Sequence, residues 1–129
     1  MKQKLKDLRT EIIKFLDTLT SAKIYYITAP SDAQYPYVVY QIKTYPKDNN
    51  MERLQVTIDG YGDNPDSSDF EDMMFDISGD GDDNQGLDKK VINTDDYSYV
   101  FALENELDVE EKTGNRHRQQ IYYGSIIGV

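Results

Sequence analysis

The run Ala29-Pro30-Ser31-Asp32-Ala33-Gln34-Tyr35-Pro36-Tyr37-Val38-Val39-Tyr40-Gln41-Ile42-Lys43 decides how the rest of the chain is read. Pro30, Asp32 and Pro36 mark a loop, because proline fixes φ and pushes the preceding residue out of the helical region. Tyr37 to Ile42 is a β-branched and aromatic run suited to a pleated surface. Val38, Tyr40 and Ile42 share one face and Tyr37, Val39 and Gln41 the other. Both faces are largely apolar, which predicts a central strand covered on both sides.

On the N-terminal side, Leu5, Leu8, Ile12, Phe15, Leu16 and Leu19 fall at helical spacing, predicting a helix over about Lys4–Leu19. Lys23 to Thr28 reads as a short extended segment leading into the Pro30 loop. On the other side, Tyr45 to Asn50 is a polar turn, and Leu54, Val56 and Ile58 then alternate with Gln55, Thr57 and Asp59. A connection this short permits a hairpin and no parallel crossover, so Arg53–Tyr61 is predicted to pair antiparallel with the first strand.

Asp63 or Asn64 can cap a second helix running from Pro65 to Ser78, with Phe70, Met73, Met74 and Ile77 as its apolar stripe. Its polar side is acidic (Asp66, Asp69, Glu71, Asp72, Asp76), with no interleaved lysine or arginine. Ser78–Asp88 has no apolar residue before Leu87 and is predicted to be an exposed loop. Val91-Ile92 begins a strand, Tyr97–Leu103 makes another, Glu104–Gly114 is an acidic connection, and Arg116–Ile127 is the last strand. The fold class expected is α+β, a mostly antiparallel sheet packed by two helices, as one domain over residues 1–129.

That length supports a single core. No cysteine is present, which excludes disulfides and thiolate metal sites. No apolar run approaches the roughly 20 residues of a membrane span. The basic N-terminus is not followed by a signal-peptide core, so the protein is expected to be intracellular at synthesis. Charge is uneven: residues 1–58 carry nine basic against six acidic side chains, residues 59–129 five against eighteen. A net charge of −10 repels phosphate backbones and argues against sequence-specific nucleic-acid binding.

Signatures of chemistry are scarce. His117 stands alone between Arg116 and Arg118, whose charges disfavour its protonation, and it is read as a surface strand residue. No serine sits in a nucleophile elbow and there is no glycine-rich phosphate loop. Asp76, Ser78, Asp80 and Gly81 match four positions of a calcium loop, but position twelve is Leu87 where a bidentate glutamate is required. Asp76 and Asp80 are thus the nearest approach to a metal site, and neither a metal, a cofactor nor an enzymatic activity is expected. Eleven tyrosines against four phenylalanines point instead to a tyrosine-rich contact surface.

The helix ending in Phe15-Leu16-Asp17, then Lys23-Ile24-Tyr25-Tyr26, Ala29-Pro30, Tyr35-Pro36-Tyr37-Val38-Val39-Tyr40 and the closing Arg116-His117-Arg118-Gln119-Gln120-Ile121-Tyr122-Tyr123 resemble, in order and over nearly the whole length, the tail terminator (tail completion, tail-to-head joining) family of long-tailed bacteriophages. The acidic, glycine-containing loop after the second helix departs from that pattern. The resemblance implies a structural virion protein, assembled in the bacterial cytoplasm, that forms a ring (six-membered in the family) on the head-proximal end of the tail tube. There it stops tube polymerisation and offers a docking surface to the head connector. Its partners would be copies of itself, the tail tube protein and a head-completion protein, with DNA passing through unbound. Another neck or head-completion component is the alternative. Under this reading the margins Arg53–Tyr61 and Arg116–Ile127 supply subunit contacts, through Tyr37, Tyr40, Arg53, Tyr97, Tyr99, Arg116, Arg118 and Tyr122. Asp66, Asp69, Asp72, Asp80, Asp82 and Asp83 would face the lumen or the tube end.

Overall fold

Both apolar stripes read from the sequence become helices that lie on the same side of one sheet. The computed structural model describes residues 2–44, 53–63, 68–79, 86–95 and 97–127. Chain order is α1 (Lys2–Leu19), β1 (Lys23–Tyr26), β2 (Tyr37–Thr44), β3 (Arg53–Gly62), α2 (Ser68–Ser78), β4 (Val91–Asn93), β5 (Ser98–Asp108) and β6 (Arg116–Ile127). The six strands form a single sheet in the order β1-β2-β3-β6-β5-β4. Only β1 and β2 run parallel; every other neighbouring pair is antiparallel. The fold is therefore α+β, as the patterning indicates. No helix among the described residues is long and apolar enough to cross a membrane.

Strand alternation sorts the side chains. Leu54, Val56 and Ile58 of β3, Val38 and Tyr40 of β2, Tyr99 and Phe101 of β5 and Tyr122 of β6 point to the helices. They meet Leu8, Ile12 and Leu16 of α1, with Phe70, Met73, Met74 and Ile77 of α2, in one core. Gly60 and Gly62 share that face of β3, and the absence of side chains lets α2 come close. A Cβ on Gly62 would stand 2.8 Å from the Phe70 ring, and one on Gly60 would run into the Met74 sulfur.

Several expectations are corrected. β2 lies one strand in from the edge and has helices on one side only; Gln41 on its other side is exposed. The centre belongs to β3 and β6, each hydrogen-bonded on both sides, so neither is a sheet margin. The edges are β1 and β4, four and three residues long. Glu104–Asp108 is not a connection, because β5 continues to Asp108 opposite β6 after a bulge between Leu103 and Asn105. The extra residue there reverses which face the following side chains take. The far end of the Ser78–Asp88 segment is anchored too: Leu87 is buried and its N–H donates to the Ile77 carbonyl at 2.6 Å, while the Asp88 N–H donates to Ser78.

Replacing Gly62 with alanine should cost about 1–3 kcal/mol, the range for overpacking a filled core. Urea unfolding of the variant checks this; an unchanged midpoint would show that α2 is not held against β3 at that point.

Candidate functional site

On the helix side the N-terminal part of β6 is a polar clasp. The sequence alternates so that Arg116 and Arg118 both point toward α2, and both reach Glu71. Arg118 donates to the two Glu71 carboxylate oxygens at 2.7 and 2.8 Å and, through Nε, to Asp108 of β5 at 2.8 Å. Arg116 also donates to Glu71, and its guanidinium lies 4.7 Å from the centre of the Phe70 ring. Hydrogen bonds from Arg118 and Arg116 hold the Glu71 carboxyl below the usual range, against a smaller opposing effect of burial. One turn further in, fully buried Gln120 donates to the Met74 carbonyl at 3.0 Å and to Glu106 at 2.6 Å. Its own carbonyl accepts the Tyr122 hydroxyl at 2.6 Å. So the acidic face of α2 is not left without cations: Glu71 is neutralised from β6, a strand about forty-five residues away in sequence.

This placement corrects three of the eight expected subunit contacts. Tyr40, Tyr99 and Tyr122 are 3%, 1% and 0% exposed, packed under the helices, and cannot meet another molecule. Arg116 and Arg118 spend their charge inside the chain. Tyr97 is half-buried against the rim of the core. Tyr37 and Arg53 lie on the opposite, uncovered side of the sheet, where Arg53 is exposed.

A row of rings crosses that open side, one from each successive strand. Tyr25 of β1 meets Tyr37 of β2 edge-on at 6.0 Å, Tyr37 stacks on Tyr61 of β3 at 4.9 Å, and Tyr61 stacks on His117 of β6 at 4.2 Å. His117 is not a simple surface residue. Because neighbours on a strand point to opposite faces, its flanking arginines are directed away from it and toward Glu71. Its Nε2 is 2.8 Å from Asp59 and its Nδ1 2.7 Å from Glu111, with its side chain only 10% exposed. Asp59 is also held by the Gln119 amide at 3.1 Å. The sequence carried no signal for this cluster, since Asp59 and His117 are 58 positions apart. Asn115 bonds the Tyr35 hydroxyl at 3.1 Å, tying the Pro36 loop to the turn before β6. The cluster is a fastening for that turn, and no buried side-chain nitrogen or oxygen among the described residues lacks a hydrogen-bond partner.

Farther along the same face the character changes. Gln55 of β3 lies between Lys43 of β2 and Tyr123 of β6, and Tyr123 is followed by Ala102 of β5. Lys43, Arg53, Tyr123, Ile127, Ala102 and Val91 are exposed there. On the far side of the molecule, the outer surface of α2 presents Asp69, Asp72 and Asp76, with Phe75 among them at 52% exposure. These three aspartates also line a cleft of 560 Å³ against the end of α1 and the Gln34–Pro36 loop.

No family model matches the chain, and no curated protein matches it.

The calcium reading gains no support from its one other described donor. Ser78 is buried and its hydroxyl donates to the Phe75 and Gly79 carbonyls. No group of three or more metal-binding side chains occurs among the described residues. Asp80 and Gly81 lie outside the described residues, as do Asp66, Asp82 and Asp83 of the acidic stretch.

Two measurements follow from the buried rings and the fastening. Burial, reinforced by Asp59 and its other neighbours, pushes Tyr61 up to about 12, and burial does the same to Tyr40. A phenol raised in the folded state above its unfolded value of 10.0 contributes stability that is complete below pH 10 and is lost between there and about 12. Absorbance titration should therefore leave these tyrosines neutral until the chain unfolds in that window; ordinary ionisation near pH 10 would contradict it. His117→Ala leaves the nearly buried Asp59 short of a donor and should cost about 1–3 kcal/mol in urea unfolding.

Proposed function

We propose that the chain is a ring-forming structural component of a phage tail, of the tail-terminator type. The observation that supports this best is the uncovered sheet face. Both helices pack on one side, and the other exposes Tyr123, Ile127, Ala102 and Val91 beside Lys43 and Arg53. Exposed apolar side chains grouped within a charged rim are the usual mark of a protein contact.

In this reading repeated copies close a ring on the head-proximal end of the tail tube, and a second surface receives the head connector. A net charge of −10 on each copy keeps passing DNA from adhering to the ring. The same charge makes subunits repel at long range, a repulsion that salt screens over about 10 Å at 0.1 M.

Negative-stain microscopy of the full chain mixed with tubes of the tail tube protein encoded in the same genome tests the reading. The expected result is extra density at one end of each tube and an end to elongation. Bare tubes of unchanged length would overturn it.

A further inference from the structure

We infer that the outer edge of β5 over Glu104–Asp108 receives an extended segment of another protein, one that carries lysine or arginine and joins the sheet as a further strand. The inference stands apart from the ring reading and needs neither a ring nor a tail tube.

The backbone is the first argument. β4 covers β5 only at Ser98–Val100. Just beyond it, the Lys89 N–H donates to the Phe101 carbonyl, the Phe101 N–H donates to the Lys90 carbonyl, and the Leu103 N–H donates to the Asp88 carboxylate at 2.8 Å. The bulge between Leu103 and Asn105 then changes which residues face outward. The Val109 N–H donates to the His117 carbonyl at 2.8 Å, so the alternation of an antiparallel ladder directs the main chain of Leu107 and Asn105 toward β6 as well. Glu106 and Asp108 therefore turn their main-chain N–H and C=O groups away from β6, and no described residue bonds to those groups. All five residues from Glu104 to Asp108 are exposed. Donors and acceptors that alternate at strand spacing along a free edge are the template on which an incoming extended chain pairs.

The side chains decide the occupant. Glu104, Glu106, Asp108, Glu110 and Glu111 crowd this stretch, and no lysine or arginine stands among them. Glu106, Asp108 and Glu111 are engaged by Gln120, Arg118 and His117, whereas Glu104 and Glu110 take part in no ion pair among the described residues. A second copy laid along the edge through its own β5 would set acid against acid, and like charges directly opposite each other destabilise a pair of strands. A basic segment meets the reverse situation. Leu107, 39% exposed on the side of the sheet away from the helices, gives one side chain of that segment an apolar foothold. The same acids blunt the edge against chance pairing, so charge selects what is admitted.

Amide hydrogen exchange of the full chain, followed residue by residue by NMR, tests this with a synthetic peptide of alternating lysine and valine. At saturating peptide, exchange at the Glu106 and Asp108 N–H groups should slow by about tenfold or more. A peptide of alternating glutamate and valine should leave both amides unchanged. The lysine peptide methylated at every backbone nitrogen keeps its charges and loses its donors, and should bind at least about tenfold more weakly. Glu104→Lys should weaken the unmethylated lysine peptide about threefold. Equal binding of the methylated peptide would reduce the effect to attraction by an acidic protein and overturn the inference, as would exchange that the lysine peptide leaves unchanged. Slowing of the same two amides with protein concentration alone would put a second copy on the edge and overturn the choice of partner. Tube capping is read separately, so this inference and the terminator reading fail independently.

Discussion

The close approach of α2 to β3 is the constraint from which the molecule's two-sidedness follows. Gly60 and Gly62 clear a path on the helix side of β3, and Phe70, Met73, Met74 and Ile77 fill it. With α1 alongside, both helices are then committed to one side of the sheet. Their combined apolar stripes are consumed in a single core, and among the described residues no helix is left for the opposite side. That side must be finished with the sheet's own side chains. At one end this is done by stacked rings and a histidine held between two carboxylates, at the other by an apolar patch with basic neighbours.

The arginines of β6 show how the two sides are kept separate electrically. Arg116, His117 and Arg118 are consecutive in sequence, yet strand geometry sends the outer two toward Glu71 and the middle one toward Asp59 and Glu111. Each of the three side chains meets acid on its own side.

Local patterning was enough to place α1, the β2–β3 hairpin and β6, because each has a clean period and punctuated ends. Sheet order was not legible. Nothing in Arg53–Tyr61 or Arg116–Ile127 announces that they lie side by side, and the polar residues interleaved in them mimic margins. Composition alone marks Tyr40, Tyr99 and Tyr122 as contact residues, because it is blind to the side of the strand that burial selects. The alternation of Tyr97, Tyr99, Phe101 and Leu103 already pointed inward. Glu104–Asp108 looked like a loop because its residues are poor strand formers, and what holds it extended is long-range pairing with Arg118, Gln119 and Gln120. The fastening around His117 depends on residues half the chain apart and has no local trace.

The bulge in β5 has a reach well beyond its single inserted residue. Up to Leu103 the odd-numbered side chains of this strand point to the helices; beyond Asn105 the even-numbered ones do. That switch of parity is what brings Glu106 under Gln120 and Asp108 against Arg118, and what turns Leu107 outward. Shortening the strand by one position there would rotate both acids to the far side, take Glu106 from Gln120 and Asp108 from Arg118, and turn Leu107 to the helix side. A lone irregularity in a ladder thus decides which residues of its second half are chemistry and which are ballast.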